Sequence, residues 1–237
     1  RDLHSFPTRR SSDLYSFSHE LKTPLTTMRE GSELLLDDGG AGLNSEQKEI
    51  AQIMRESGMH LQRLIEDLLQ FGKTQIPQPD PPHSGMILLD ELVRSALDKH
   101  SLGRNAKSLQ VDARLQPVRI DGDPNQLRTV VDNLLSNAIK YTPPSGRITV
   151  SLAADDGHVT LEVADNGPGI DPDERGRVFE PFYQGRAPYV GHVQGTGLGL
   201  TIARQYVEAH HGRIEISDSP LGRGACVRVQ FPLSRAA

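Results

Sequence analysis

A repeating apolar seam between residues 50 and 71 is the feature that most restricts how this chain can fold. Its positions are separated alternately by four and three residues, which places them on one face of a helix with heptad periodicity. They are Ile50, Met54, Ser57, Leu61, Leu64, Leu68 and Phe71, and only Ser57 is polar. A similar stripe precedes the seam at Phe17, Leu21, Leu25, Met28 and Leu35. Two successive helices with apolar stripes predict a helical hairpin.

The stretch DDGGAGLNSEQ at residues 37–47 separates the two stripes and supplies a glycine-rich stop for the first helix. Ser45 is the predicted N-cap of the second helix, with Lys48 where a capping box would have Glu. A hairpin cannot bury both sides of its apolar seams alone, and a second copy completing a four-helix bundle solves this economically. We therefore expect a homodimer.

Four prolines within IPQPDPPHSG, residues 76–85, predict an extended linker before a second domain. Beyond it, residues 148–152 and 159–163 alternate between apolar and polar on either side of a turn at 155–157, which predicts a β-hairpin. Further strands are predicted at 213–217 and 225–233, and helices at 90–100, 124–141 and 198–211. This mixture predicts an α+β domain with helices on one face of a sheet.

Composition excludes several classes of function. The net charge of −5 shows no basic footprint, so we expect no nucleic-acid partner. Cys226 is the only cysteine, which rules out an intrachain disulfide or a thiolate metal cluster, and we expect it to be a buried strand residue. The longest apolar runs are far shorter than the roughly 20 residues of a membrane span. Residues 1–14 resemble a translated sequencing adapter, and we expect the native chain to begin near Tyr15.

One predicted helix carries a polar face suited to phosphate. Asn133, Asn137 and Lys140 are spaced by four and three residues and therefore share one side of the helix at 124–141. Amide oxygens can ligate magnesium, and a lysine ammonium neutralises phosphate charge. The helix taken alone is explained equally well as a solvated polar face.

Two glycine-rich stretches follow. In DNGPGI, residues 165–170, Asp165 ends a strand and can accept a hydrogen bond from an exocyclic amine, although an ordinary strand-to-loop turn also explains it. In GTGLGL, residues 195–200, the glycines lead into a helix and can bind an anion. This stretch lacks the Lys-Ser/Thr of a P-loop, and Leu200 replaces a glycine that a dinucleotide fingerprint requires.

In their order along the chain, the N-rich helix, DNGPGI, VFEPFY at 178–183 and GTGLGL resemble the N, G1, F and G2 boxes of the histidine-kinase ATP-binding domain. The resemblance implies a Bergerat-type α/β sandwich that binds ATP and Mg²⁺, with residues 184–194 as a mobile lid. It also implies that Asn137 ligates magnesium beside Asn133, Lys140 contacts phosphate and Asp165 reads adenine. The remaining implied residues are Tyr141, Gly167 and Gly169 around the nucleotide and Gly195, Gly197 and Gly199 at the phosphates.

The stretch FSHELKTPL, residues 17–25, resembles the phosphoacceptor H-box of sensor histidine kinases. A lone helical histidine is usually structural, but a carboxylate that holds one imidazole nitrogen makes the other a good nucleophile. His19 is thereby the implied phosphoacceptor, Glu20 the general base and Thr23 the residue that orients water during dephosphorylation. Pro24 is expected to bend the helix just below His19.

The resemblance assigns residues 15–75 to dimerisation and histidine phosphotransfer and residues 86–237 to ATP binding. It implies a kinase that autophosphorylates and transfers phosphate to the receiver domain of a response regulator, and that also dephosphorylates this regulator. The parent protein is expected in the bacterial inner membrane through segments outside this chain, with this portion in the cytoplasm. The alternatives are a chaperone or DNA-processing ATPase, which gives no reason for an H-box, and a non-catalytic dimeric scaffold that binds nucleotide.

Overall fold

The computed structural model describes residues 24–36, 42–74, 85–155, 157–186 and 195–233. The chain divides into two compact units, Arg1–Pro77 and Gln78–Ala237.

Among its described residues, the first unit contains two helices, α1 (residues 24–36) and α2 (Ser45–Thr74). The Arg29 guanidinium donates a hydrogen bond to Gln62 Oε1 at 3.2 Å, which ties the two helices together. Leu25, Ser32 and Ala51 are buried. Four residues of the predicted seam, Ile50, Met54, Leu61 and Leu68, are about half exposed in the single chain. The hairpin alone therefore leaves its apolar seam uncovered.

The predicted N-cap of α2 was wrong by one residue. Asn44 Oδ1 accepts the backbone N–H of Gln47 at 2.8 Å, and Gln47 Oε1 accepts the backbone N–H of Asn44 at 3.0 Å. This reciprocal pair is a capping box, in which Asn and Gln satisfy two backbone donors at the helix start. Asn44 is preferred because it places Gln47 at the third helical position, whereas Ser45 would place Lys48 there, and Lys cannot accept a hydrogen bond.

The second unit contains seven strands and four α-helices among its described residues. In chain order these are β1 (Gly85–Leu88), α3 (Leu89–Lys99), α4 (Ser101–Ala106), β2 (Gln110–Leu115), β3 (Arg119–Gly122), α5 (Pro124–Tyr141), β4 (Arg147–Asp155), β5 (His158–Asp165), α6 (Gly199–Ala209), β6 (Arg213–Asp218) and β7 (Ala225–Pro232). A short 3₁₀ turn, Arg177–Phe179, lies between β5 and α6.

Five strands form the main sheet in the order β2-β4-β5-β7-β6, and β1 pairs with β3 in a separate two-stranded sheet. The β2–β4 pair is parallel and the other pairs are antiparallel. Leu152, Leu161 and Val229 are cross-strand partners on the buried face. The opposite face carries polar partners such as Glu162 and Arg228, joined by a 2.7 Å ion pair. Helices α5 and α6 contact each other and the strands β5 and β6, respectively.

The α+β prediction is confirmed, as are the hairpin β4–β5, the strands β6 and β7, and the helices α3, α5 and α6. The predicted ends lie within two residues of the observed ones, except that β4 extends three residues further, to Asp155. Strands β1, β2 and β3 were not predicted. Cys226 is buried on β7, as expected. None of the helices in the described ranges is long and apolar enough to span a membrane.

Candidate functional site

Helix α5 carries the polar face predicted for phosphate. Its first turn is capped by the Asp123 side chain, whose Oδ1 atom accepts hydrogen bonds from the backbone N–H of Asn125 at 2.7 Å and of Gln126 at 3.2 Å. Its apolar side is buried, with Leu127, Val130, Val131, Leu134, Leu135 and Ala138 in the core. This packing leaves Asn133, Asn137 and Lys140 half-buried at the edge of the core.

The glycine-rich segment that leads into α6 lies against this polar face. A Cβ atom added to Gly199 would lie 3.2 Å from Asn133 Oδ1, and one added to Gly195 would lie 2.6 Å from Lys140 Nζ. Gly197 has φ +76°, and a Cβ there would come within 2.6 Å of the Phe182 backbone. Gly195 and Gly199 therefore let the backbone approach α5 closely, and Gly197 lets it approach Phe182. The N-terminus of α6 lies beside Asn133.

Asp165, at the end of β5, is 7% exposed. Its Oδ1 atom accepts hydrogen bonds from the backbone N–H of Gly167 at 2.8 Å and of Ala225 at 3.4 Å. No hydrogen bond to Oδ2 is found within the described ranges, so this oxygen can accept from a ligand amine. Burial raises the pKa of Asp165, and the two backbone N–H groups act in the opposite direction.

The DNGPGI loop joins Asp165 to the end of α5. A Cβ at Gly167 would lie 2.7 Å from the Tyr141 carbonyl oxygen, so only glycine permits this approach. Gly169 has φ +81° and packs against the backbone of Gly224, which itself packs against the Asp165 carbonyl. The loop thus connects three predicted site residues, Tyr141, Asp165 and Gly167, to β7.

The residues present fit magnesium bound together with a polyphosphate. No hydrogen bond within the described ranges engages the Asn133 or Asn137 side chain, which leaves both amide oxygens available. The described residues also contain no group of three or more His, Cys, Asp or Glu that could hold a metal without help. Mg²⁺ commonly takes one or two protein oxygens and completes its shell with phosphate oxygens and water. One amide from α5 beside a phosphate site suits that chemistry.

The VFEPFY segment supports the glycine-rich segment from the other side. The backbone N–H of Phe182, a residue with φ +63°, donates to the Gly197 carbonyl at 3.0 Å. Tyr183 donates its hydroxyl hydrogen to the buried Glu174 at 2.6 Å. This hydrogen bond lowers the pKa of Glu174 and raises that of Tyr183. Gln184 donates to the Gly195 carbonyl at 2.8 Å, which closes the base of the predicted lid.

Some predicted residues lie outside the described ones. His19, Glu20 and Thr23 precede residue 24, so the structure does not test their roles or the bend expected near Pro24. Residues 187–194 of the predicted lid are likewise not described.

Sequence reasoning missed three contributors to the site. Gly224 and Ala225 contact Asp165 from 60 residues away, and Glu174 fixes Tyr183. The repeated glycines of GRGA at 222–225 were the available signal for a close backbone approach. Nothing in the local sequence distinguished the buried Glu174 from acids that are exposed.

Comparison with known proteins identifies the family. Residues 14–75 match the His Kinase A (phospho-acceptor) domain, and residues 122–235 match the histidine kinase-, DNA gyrase B- and HSP90-like ATPase. The solved structure of the mycobacterial sensor histidine kinase MprB is 31% identical, aligns with 64% of this chain and 99% of its own, and has a TM-score of 0.56. The chain belongs to the sensor histidine kinases.

Three further proteins, two of them named as sensor histidine kinases, match nearly the whole chain. Sensor histidine kinase GlrK of Escherichia coli K12 is 37% identical over 96% of this chain and 47% of its own length. Sensor histidine kinase CpxA of the same strain is 34% identical over 98% of this chain and 49% of its own length. Full-length ShkA, solved in complex with AMPPNP, is 30% identical, with a TM-score of 0.73 over 95% of this chain and 46% of its own. This histidine kinase chain therefore spans about half the length of these relatives.

These matches confirm the predicted family, and they confirm that the chain combines a phosphoacceptor domain with a histidine-kinase ATP-binding domain.

Proposed function

We propose that this chain is the catalytic portion of a sensor kinase that phosphorylates its own His19 from Mg-ATP. The phosphoryl group would then pass to an aspartate in the receiver domain of a response regulator. The observation that carries the proposal is that the polar face of α5, the glycine-rich segment 195–199 and the Asp165 loop surround one place in the second unit.

Each side of this site suits a different part of ATP. Asp165 has a carboxylate oxygen available to accept a hydrogen bond from the adenine amine, and Gly167 and Gly169 leave room beside it. Tyr141 lines the nucleotide between adenine and phosphates. Lys140 and the backbone N–H groups of Gly195, Gly197 and Gly199 bind the phosphates, because an ammonium and a helix N-terminus both favour anions.

Asn137, with Asn133 beside it, would hold the magnesium ion through its amide oxygen. The ion supplies charge neutralisation at the phosphates.

In the transfer itself, an imidazole nitrogen of His19 attacks the γ-phosphorus of ATP. A bond from nitrogen to phosphorus forms, the bond to the bridging oxygen breaks, and ADP leaves. Glu20 acts as the general base that holds the opposite N–H of the imidazole. The match of residues 14–75 to a phospho-acceptor domain supports this assignment.

The regulator and the rest of the parent protein are also part of the proposal. The half-exposed seam of α2 supports a homodimer with a four-helix bundle. The relatives are named as sensor kinases and extend well beyond this chain, which supports a longer parent protein anchored in the bacterial inner membrane with this portion in the cytoplasm.

The function is tested by incubating the full chain and its His19→Gln variant with labelled ATP. The parent should acquire phosphate that is labile in acid and stable in alkali, and a receiver domain should remove it. The variant should bind ATP normally but incorporate no label. Label that remains on the variant would refute His19 as the acceptor, and ATP hydrolysis without any phosphoprotein would favour another ATPase of this fold.

We also propose that Thr23 orients the water that dephosphorylates the regulator. A hydroxyl can both donate and accept a hydrogen bond, and Thr23 follows His19 by four residues, a spacing that would place both on one face of a helix. Thr23→Ala should preserve autophosphorylation and slow dephosphorylation of the regulator by roughly ten- to thousandfold. Equal loss of both activities would reduce Thr23 to a structural role.

A further inference from the structure

Lys107, just after α4, reaches the C-terminal end of the nucleotide helix α5. Its ammonium donates hydrogen bonds to the carbonyl oxygens of Ile139 at 2.9 Å, Lys140 at 2.8 Å and Thr142 at 3.0 Å. A lysine ammonium has three donors, so these contacts use all of them. The last carbonyls of a helix have no intrahelical partner, and a positive charge there also interacts favourably with the helix dipole.

The backbone of Lys107 holds the turn that follows α5. Its carbonyl accepts the N–H of Ser145 at 2.8 Å, and Ser145 has φ +58°. The turn is closed by the N–H of Gly146, which donates to the Pro143 carbonyl at 3.0 Å. Lys107 therefore fixes both the end of the helix and the turn that leads into β4.

The fourth carbonyl in this row, that of Tyr141, lies against Gly167 of the DNGPGI loop. The carbonyls of residues 139, 140 and 142 thus face Lys107, while the one between them faces the adenine side of the proposed site. The final turn of α5 is held from two sides, and it carries Lys140 and Tyr141.

This turn determines where Lys140 lies. Lys140 Nζ lies so close to Gly195 that a Cβ atom added to this glycine would be only 2.6 Å from it. Without Lys107, three carbonyls at the negative end of the helix would lose their cation. Lys140 is the basic residue of the same last turn, and its side chain could fold back onto those carbonyls instead of facing the glycine-rich segment.

We propose that Lys107 is a positioning residue of the nucleotide site, which directs Lys140 toward the phosphates without contacting the nucleotide itself. The inference rests on the ATP site described under the proposed function and adds the residue that organises its phosphate side.

The test compares Lys107→Met in the full chain with the parent, at a temperature where both are folded. Methionine keeps an unbranched side chain of similar reach but removes the charge and all three donors. Affinity for ATP should fall roughly tenfold, the loss expected for one hydrogen bond to a charged group at the phosphates. Affinity for adenosine, measured by NMR titration, should change less than about twofold, because it depends on Asp165 rather than on Lys140.

A double-mutant cycle identifies the route of the effect. If Lys107 acts through Lys140, adding Lys107→Met to Lys140→Met should cause little further loss of ATP affinity. Additive losses would overturn the proposal, as would equal losses of ATP and adenosine affinity, which would indicate a general loosening of the domain. Unchanged ATP affinity in the single variant would also overturn it.

Two further variants serve as controls. Lys99→Met makes the same chemical change at a lysine that pairs with Asp132 of α5 at 2.7 Å, on an exposed surface, and should leave ATP affinity unchanged. Lys107→Arg retains donors for the carbonyls and should bind ATP more tightly than Lys107→Met, which keeps the proposal testable should the Met variant not fold. Absence of ATP binding by the parent would refute the proposed function, whereas a parent that binds alongside an indistinguishable Lys107→Met would refute only this inference.

Discussion

The carboxyl of Asp165 affects stability and binding in opposite ways. Its neutral form favours the stability of the nucleotide-free domain, whereas its charged form favours the expected binding of adenine. Burial raises the pKa of its carboxyl, so the folded domain holds the proton more tightly than the unfolded chain does. The stabilising contribution of the carboxyl is therefore complete below its unfolded pKa and is lost as the pH rises through its folded pKa. At neutral pH the charged form weakens the fold, yet the charged form is the better acceptor for an amine.

We predict that Asp165→Asn raises the stability of the nucleotide-free domain at neutral pH and weakens ATP binding. The stability gain should shrink as the pH falls through the raised pKa of Asp165, and it should disappear below the pKa of an aspartate in the unfolded chain, where the parent carboxyl is neutral in both states. ATP affinity should fall roughly ten- to hundredfold, the loss expected for a hydrogen bond to a charged group. Thermal unfolding across pH and calorimetric titration with ATP measure the two effects, and wild-type ATP affinity in the variant would contradict the assignment.

His211 occupies a backbone conformation that normally belongs to glycine. It follows α6 with φ +56°, and its N–H donates to the Glu208 carbonyl at 3.0 Å while that of Gly212 donates to Val207 at 2.9 Å. Such a left-handed residue at a helix end is usually Gly, because a side chain there is strained.

The left-handed conformation costs a non-glycine residue about 1–2 kcal/mol, and the extra unfolded-state entropy of glycine offsets part of that gain. His211→Gly is therefore expected to stabilise the second unit by about 0.5–1 kcal/mol, seen as a rise of a few degrees in its melting temperature. His211→Ala is the matched control, because it removes the ring but keeps the Cβ atom. The explanation fails if alanine stabilises as much as glycine does.

Among the elements, α2 depends on the capping box between Asn44 and Gln47. Asn44→Ala removes the side-chain acceptor of the Gln47 N–H and should destabilise the start of α2 by about 1 kcal/mol. Ser45→Ala, the neighbouring change, leaves both hydrogen bonds of the box in place. Hydrogen exchange at the Gln47 amide should accelerate in the first variant only, and equal acceleration in both would show that Ser45 shares the capping role.

The elements that could be predicted from sequence are those whose local pattern matches their final burial. Strands β4 and β5 alternate apolar and polar residues because one face of each is buried. The start of α5 is predicted by Asp123 as the N-cap and Pro124 at the first helical position. Strand β2, QVDARL, lies at the edge of the sheet with Asp112, Ala113 and Arg114 exposed, so it has almost no apolar pattern to detect.

The residues of the candidate site likewise fall into those that the sequence predicted and those that it did not. Asn133, Lys140, Asp165 and the glycines belong to short motifs whose residue types reveal their chemistry. Lys107 has no such motif, because its three partners lie 32 to 35 residues away and are backbone carbonyls, to which any long cation could donate. Supporting residues of this kind can be recognised only from the folded structure.

At the scale of the whole molecule, the apolar residues left exposed on the first unit predict self-association. Leu68 belongs to the heptad seam and is 51% exposed, whereas Leu102, in the second unit, is 82% exposed on the short helix α4. Exposure alone would therefore predict Leu102 rather than Leu68 as a dimer contact. Leu68 is the better candidate only because it occupies a heptad position.

We predict that Leu68→Glu weakens the dimer by roughly hundredfold or more, because each of two copies loses about 1.5–3 kcal/mol of buried leucine. Leu102→Glu should leave the dimer intact. Sedimentation velocity over a range of concentrations separates the outcomes, and a parent chain that remains monomeric at high micromolar concentration would contradict the bundle altogether.

The position of β7 in the sheet has a consequence for how the protein is made. This strand is synthesised after β5 and β6, yet it lies between them in the sheet, and the backbone N–H of its first residue, Ala225, donates to the Asp165 carboxylate. A nascent chain that ends before Gly224 leaves β6 without its partner strand, one edge of β5 unpaired, and the adenine side without Gly224 and Ala225. Chains that terminate before Ala225 should therefore be unable to bind ATP. An mRNA truncated before the Ala225 codon would encode a phosphoacceptor domain that cannot signal by itself.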